Sequence, residues 1–218
     1  IQSRLHGFGN QHHVQPAIIS ISQCSEMGTV YSPAEIKAIA DLAHSRGMFL
    51  HVDGARIANA VAYLDIEPAA LLCDTGVDVL SFGGTKNGML FGEAVIFFTS
   101  PRKGVQYLRK QLMQLHSKGR FIAAQFSAVL DENLWIRAAA RANSMARLLA
   151  EKADEKGIQI TQPVQGNEVF AIIPKDRIEK LQNKSFFYVW DENKSEVRWV
   201  CSFDTDESDV LDFINNFV

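Results

Sequence analysis

Two charged residues, Asp53 and Lys86, come directly after apolar segments and among small neighbours, in HVDGAR and SFGGTKNG. Burying a charge at the end of a strand costs free energy unless the charge is paired. This cost makes Asp53 and Lys86 better functional candidates than surface charges. A lysine in such a loop can act as an amine nucleophile and form a Schiff base with an aldehyde. Two alternatives remain open: Lys86 as a solvated lysine in a turn between Gly84 and Gly88, and Asp53 as a helix cap.

The segments around these two residues predict an alternation of strands and helices. Apolar, β-rich runs predict strands at Ala17–Gln23, Phe49–Asp53, Val77–Phe82 and Ala94–Phe98. Helical patterns separate the first three strands. This alternation indicates an α/β fold with a mostly parallel sheet and helices on both faces.

The clearest helix signal begins at Ser32 and ends before Gly47. Ser32 and Glu35 match a capping box, and Pro33 occupies the first helical position. The apolar residues that follow recur at helical spacing and form one stripe. We therefore expect a helix that packs on the sheet between the first two strands.

The pattern changes near Asp131, where a long helix is predicted to run to Gly157. Three further strands are predicted after it, at Val169–Ile173, Phe186–Trp190 and Val197–Phe203, with short helices between them and at the end. These elements indicate a small α+β domain. We accordingly predict two units, at residues 1–136 and 137–218.

In an open parallel sheet, ligands bind outside the carboxyl ends of the strands, where Gln23, Asp53 and Lys86 are predicted to lie. Two hydrogen-bond partners are equally possible for the Gln23 amide: a ligand, or a backbone group at the strand end. His51 shares a strand face with Asp53 and could orient its carboxylate, although a histidine satisfied within the core is the favoured reading.

Arg198 is a further candidate because of its place in a predicted strand. Val197, Trp199, Cys201 and Phe203 fall on one face by the period of two and are expected to pack inside. Arg198 then points to the other face, toward a cleft. The alternative is an ordinary charge on an edge strand.

Several motifs occur in an order that is similar to a known family. They are ISQCSEMGTVYSPAEI, HVDGARIANA, DVLSFGGTKNG, HSKGRFIAAQF, DENLWIRAAARAN and VRWVCSF. Together they resemble the low-specificity threonine aldolase and aromatic amino-acid β-eliminating lyase family of fold-type-I pyridoxal-phosphate (PLP) enzymes. The resemblance covers essentially all 218 residues and corresponds to the C-terminal two thirds of the family.

The resemblance implies a role for each matching residue. Lys86 would hold PLP as a Schiff base, and Asp53 would face the pyridine nitrogen and keep it protonated. Arg56 would lie near the phenolic oxygen of PLP and bind the substrate carboxylate, with a solvated helix arginine as the alternative. Arg198 would also bind the substrate carboxylate. Arg120 would reach the cofactor phosphate from a neighbouring subunit, with a surface helix cap as the equal alternative.

Two further residues are expected to take part in cofactor binding. Gln23 would contact PLP through its amide, and His51 would act through Asp53. Residues 1–136 would form the C-terminal part of the PLP-binding large domain, and residues 137–218 the small domain.

The implied activity is cleavage of a β-hydroxy-α-amino acid, of the threonine or allo-threonine type, to glycine and an aldehyde. β-Elimination on the same scaffold, or a catalytically silent fragment with a structural role, are the alternatives. Cys24-Ser25-Glu26 stands where many family members have a histidine, so the base that removes the β-hydroxyl proton is open. The family's phosphate-binding glycine segment would lie upstream of this sequence.

The composition limits the class of partner. A net charge of -3 gives no support for a nucleic-acid or anionic-membrane partner. The three cysteines are widely spaced, which fits a reducing cytoplasm, and no metal site is expected; adjacent His12 and His13 are interpreted as solvated. A small amino-acid substrate and a homo-oligomer, dimer or tetramer with shared sites, are what the resemblance implies.

Overall fold

The computed structural model describes residues 1–100 and 103–217. A first sheet contains β1 (Ile18–Ser22), β2 (Phe49–Gly54), β3 (Val79–Gly83) and β4 (Glu93–Phe97), in that order. The first three strands are parallel, and β4 is antiparallel to β3. The prediction of a mixed α/β fold with a mostly parallel sheet is therefore confirmed.

The helices of this part of the chain are α1 (Pro33–His44), α2 (Ile57–Leu64), α3 (Pro68–Leu71), α4 (Val105–Gln111) and α5 (Arg120–Leu130). The capping box of α1 is confirmed. The Glu35 amide donates to Ser32 Oγ at 3.3 Å, and the Ser32 amide donates to Glu35 Oε2 at 2.8 Å. These bonds satisfy two amides that the helix itself leaves without partners.

The two faces of the first sheet differ in the described part of the chain. Leu50 and Val52 on β2 are fully buried and belong to one hydrophobic cluster with Ile36 of α1. The alternate residues point the other way, where Phe49 is 37% exposed and Val95 is 61% exposed. The helix cover expected on both faces is thus seen on one face only.

The second sheet contains β5 (Gln159–Ile160), β6 (Glu168–Ile172), β7 (Tyr188–Asp191) and β8 (Glu196–Val200). Its order is β5-β6-β8-β7, and every pairing is antiparallel. Helices α6 (Leu134–Glu155), α7 (Lys175–Gln182) and α8 (Glu207–Asn215) accompany it. The three strands predicted after the long helix are all found, with shifted ends.

Helix α6 connects the two halves of the structure. Trp135 and Ala139 belong to the hydrophobic cluster of the first sheet, whereas Ala146 and Leu149 belong to that of the second. One continuous helix therefore contributes to both cores, and the division at residue 136 remains a prediction. Among the described helices, none combines the length and the apolar character needed to cross a bilayer.

Candidate active site

A cavity of about 180 Å³ lies where α2, the Lys86 turn, α6 and the end of β8 meet. Arg56 and Lys86 both line it, together with Asn59, Asn167 and Ser202. A second cavity, of about 160 Å³, lies beside Trp199 and Phe213, and the described residues that line it include no lysine or arginine. The first cavity is therefore the one that brings together residues singled out from the sequence.

Lys86 lies on a 3-10 turn, Thr85–Asn87, that directly follows β3. Gly83 allows this strand end to approach β2 closely, because a Cβ there would lie 2.6 Å from the Ala55 Cα. Gly88, with a φ of +98°, ends the turn in the left-handed conformation that glycine adopts readily. Lys86 is exposed and borders the cavity, so its amine is accessible to a ligand there.

Asp53 lies on β2 and is exposed on the open face of the first sheet. Its Oδ1 accepts a hydrogen bond from the Ala55 amide at 3.0 Å, which fixes the carboxylate over the turn that leads to Arg56. The alternative that Asp53 caps the next helix is wrong, because α2 begins at Ile57 and its N-cap residue is Arg56.

Arg56 and Arg198 converge on the carboxylate of Glu168. Nη2 of Arg56 lies 3.2 Å from Glu168 Oε1, and Nη1 of Arg198 lies 3.5 Å from the same oxygen. The Glu168 side chain is only 1% exposed. Burial raises the pKa of Glu168 above its ordinary value, while the charges of Arg56 and Arg198 oppose that rise. The two arginines predicted to bind carboxylate thus already share one.

Arg198 is held by aromatic rings as well as by charge. Its guanidinium lies 5.1 Å from the Trp190 ring centre and 5.6 Å from that of Tyr188. Its strand neighbours Val197 and Trp199 are buried, as the alternation predicts. These contacts hold the guanidinium on the face of β8 that Arg198 shares with Val200. Val200 is the residue that pairs with Glu168 of β6.

The prediction for Phe203 is wrong, since this residue is 48% exposed. Strand β8 ends at Val200, and the chain then turns, with the Ser202 amide donating to Thr205 Oγ1 at 2.8 Å. The alternation of faces stops where the strand stops.

Gln23 and His51 both make contacts that match the structural alternatives. Gln23 is fully buried, its Nε2 donates to the Tyr31 carbonyl at 2.8 Å, and its Oε1 accepts from the Tyr31 amide at 3.0 Å. His51 is hydrogen-bonded to Ser20 Oγ through Nδ1 and to Ser81 Oγ through Nε2, at 2.8 and 2.9 Å. The structure therefore directs the Gln23 amide to the backbone and the imidazole of His51 to two serines, rather than to the Asp53 carboxylate.

Arg120 begins α5, and its guanidinium lies 5.1 Å from the centre of the neighbouring Phe121 ring. Both side chains are exposed. Arg120 is outside the described lining of the cavity, so the structure of a single chain does not bring it to Lys86.

Cys24 lies behind Arg56, where its thiol is within 3.8 Å of the Arg56 carbonyl oxygen. Burial, together with the nearby charge of Glu168, raises the pKa of the Cys24 thiol to about 12. The thiol therefore stays protonated near neutral pH and is unsuited to removing a proton from a substrate hydroxyl.

Sequence reasoning missed Glu168, the residue that joins the two arginines. A signal was present, because Glu168 is a charged residue at the start of the apolar run VFAII, the same costly setting that singled out Asp53. The sequence did not reveal the partner of Glu168, since Arg56 lies more than one hundred residues earlier, at the start of α2 beside the first sheet.

The chain is similar to a solved structure of Leishmania major threonine aldolase, with a TM-score of 0.90 and 29% sequence identity. The match covers 98% of this chain and 64% of that structure. The fold is therefore the α/β scaffold of the fold-type-I class. The beta-eliminating lyase family model matches residues 1–176, and the chain belongs to that family.

Two curated relatives are each described as a low specificity L-threonine aldolase. The chain is 44% identical over 197 residues to the one from Pseudomonas aeruginosa, and 41% identical over 201 residues to the one from a Pseudomonas species. These matches take in 89% and 91% of the chain, but only 57% and 58% of the relatives. The chain thus spans somewhat more than half the length of either.

Proposed function

We propose that this chain provides the lysine and the carboxylate-binding arginines of a PLP-dependent aldolase. The reaction is cleavage of a β-hydroxy-α-amino acid, of the threonine or allo-threonine type, to glycine and an aldehyde. The single observation that carries the proposal is that Arg56 and Lys86 line one cavity, with Asp53 three residues before Arg56 at the end of the adjacent strand. The two curated threonine aldolases that resemble the chain support the same chemistry.

The residues present fit PLP by their chemistry. Lys86 offers an accessible amine for its aldehyde, and Asp53 offers an exposed carboxylate for its pyridine nitrogen. When bound, PLP supplies an electron sink for the negative charge that develops at the substrate Cα. Asp53 would keep a proton on the pyridine nitrogen, which makes that sink effective. Arg120 would meet the phosphate only if a neighbouring subunit brings it there.

The carboxylate of the substrate would be bound by Arg56 and Arg198. A guanidinium presents parallel N–H donors that match the two oxygens of a carboxylate. Trp190 and Tyr188 restrict the Arg198 guanidinium, so less conformational entropy is lost when an anion binds. Fixing the carboxylate orients the Cα–Cβ bond for cleavage.

The proton of the β-hydroxyl must leave for the Cα–Cβ bond to break. The Cys24 thiol, with its pKa raised to about 12, is excluded as the acceptor at neutral pH. Lys86 lines the cavity and carries the amine there, so we assign the acceptance of this proton to Lys86.

The proposal is tested with the full-length protein and L-threonine, by measuring glycine and acetaldehyde. Lys86→Arg keeps the positive charge and removes the nucleophilic amine, so product formation should fall to background. Lys156→Arg, on an exposed lysine at the end of α6, is the matched control and should retain wild-type activity. Equal activity in the two variants contradicts the assignment of Lys86.

A second candidate is β-elimination, which the description of the matching family favours. Elimination would release ammonia and a keto acid in place of glycine and an aldehyde. Assaying all four products from the same incubation separates the two reactions, and a predominance of ammonia would replace aldol cleavage as the proposed activity.

We also propose a cytoplasmic homo-oligomer, dimer or tetramer, with sites shared between subunits. Three thiols that form no disulfide among the described residues support a reducing compartment. Exposed apolar side chains such as Leu90 and Met113, 84% and 85% exposed, support burial against another chain. Light scattering of the full-length protein tests this, and a monodisperse monomer would contradict it.

A further inference from the structure

Glu168 places a negative charge inside the site proposed for the substrate carboxylate. Its Oε1 lies 3.2 Å from Arg56 Nη2 and 3.5 Å from Arg198 Nη1. Arg56 is the N-cap residue of α2 beside the first sheet, whereas Glu168 and Arg198 lie on neighbouring strands of the second sheet. One carboxylate therefore sits between two guanidinium groups that come from different halves of the structure.

The position of Glu168 is fixed by its surroundings. Strand β6 pairs Glu168 with Val200 of β8, and the side chain is 1% exposed. Gly28 packs against it so closely that a Cβ on Gly28 would lie 3.2 Å from the Glu168 Cβ. The carboxylate has little room to swing away when a ligand enters.

The ion-pair cluster leaves hydrogen-bonding capacity unused. Neither carboxylate oxygen of Glu168 accepts a hydrogen bond of good geometry from the described residues, and Nε of Arg198 is buried without a partner among them. A buried donor without a partner is costly. The Nε–H of Arg198 thus has hydrogen-bonding capacity that Glu168 does not use.

The charges in the cluster leave room for one further negative charge. Arg56 and Arg198 each contribute one positive charge, and an ionised Glu168 cancels one of them. Glu26 and Lys86 act on Glu168 from farther away, with opposite signs, and the Cys24 thiol is neutral. Exposed Glu26 is screened by solvent. A single substrate carboxylate completes the balance.

We propose that Glu168 is a specificity-determining residue, a built-in counter-ion that restricts the site to amino acids with one carboxylate. This inference rests on the proposed aldolase function and adds a substrate class to it. A substrate with a second carboxylate, such as 3-hydroxyaspartate, would bring two negative charges toward a site with one net positive charge and a fixed anion. Repulsion between the second carboxylate and Glu168 in this partly buried site should weaken binding of the dicarboxylic substrate at least about tenfold.

The test is Glu168→Gln in the full-length holoenzyme, which removes the charge and keeps the shape. The kcat/KM for 3-hydroxyaspartate relative to that for L-threonine should rise about tenfold or more. Glu168→Asp keeps the charge and should retain the wild-type ratio. A purely structural role for Glu168 would lower kcat/KM for both substrates and leave their ratio unchanged, and that result would overturn the proposal.

A binding measurement on the unsubstituted protein keeps the proposal testable even if Glu168→Gln does not fold. Propionate and succinate carry one and two carboxylates, and calorimetry should show succinate binding no tighter than propionate. Tenfold tighter succinate binding would overturn the proposal. If neither amino acid is cleaved by the wild-type protein, the proposed function fails, while the comparison of these two anions still tests the restriction of the site to one carboxylate.

Discussion

Asn59 of α2 and Asn143 of α6 are joined by two buried hydrogen bonds. Asn59 Nδ2 donates to Asn143 Oδ1 at 2.8 Å, and Asn143 Nδ2 donates back to the Asn59 carbonyl at 2.9 Å. Asn59 also lines the cavity that holds Arg56 and Lys86. The pair therefore connects the wall of the candidate site to the long helix that both halves of the structure share.

Replacing Asn143 by Ala should lower the free energy of unfolding by about 1–3 kcal/mol, because it leaves polar groups of Asn59 buried without a partner. Urea denaturation measures the change. Asn193→Ala, at an exposed position, is the control and should change stability by less than about 0.5 kcal/mol. Equal losses in the two variants would show that the buried pair contributes no special stability.

Replacing Arg198 by Lys should raise KM for the amino-acid substrate about tenfold or more, with a smaller effect on kcat. Lysine keeps the charge but loses the planar fork and the stacking on Trp190. Steady-state kinetics on the full-length holoenzyme measures both constants. Arg147→Lys, on the exposed side of α6, should leave KM unchanged, and a KM unchanged in both variants argues against carboxylate binding by Arg198.

The three cysteines should differ strongly in reactivity. Burial raises the pKa of Cys24 and of Cys201 to about 12, so at pH 8 only about one thiol in ten thousand is ionised at each. Cys73 is exposed. Iodoacetamide labelling of the native protein, read by mass spectrometry, should therefore modify Cys73 first. Labelling of Cys24 at the rate of Cys73 would contradict the buried position behind Arg56.

The cap of α1 should contribute stability that depends on pH. Hydrogen bonds from the Ser32 amide and hydroxyl lower the pKa of Glu35. Because the folded-state pKa lies below the unfolded one, the stabilisation is present above the unfolded value and is lost as pH falls through the folded value. The stability difference between wild type and Glu35→Gln should accordingly narrow below about pH 4. A difference that stays constant from pH 7 to pH 3 would rule out this linkage.

Helix α1 and the face of β8 on which Arg198 lies could be predicted because their determinants are local. A capping box, a proline at the first position and an apolar stripe lie within one short segment, and the two faces of a strand follow from its period. The same period failed at Phe203, because the strand ends at Val200 and the chain turns there, with the Ser202 amide donating to Thr205 Oγ1.

Glu168 could not be assigned from sequence because its role depends on a long-range approach. The residue is paired with Arg56, which is brought to it only when α2 and the second sheet pack together through α6. For Gln23 the sequence allowed two partners, and the choice of the Tyr31 backbone depends on the path of the loop between β1 and α1. Local patterns contain neither piece of information.

Borohydride reduction can show whether Lys86 is the lysine that would hold PLP. Reduction of the full-length protein with PLP converts the C=N bond to the lysine into a stable C–N bond, so the modified peptide can be located by mass spectrometry. We expect a single phosphopyridoxyl group, on Lys86. Modification of a different lysine, or of none, would contradict it.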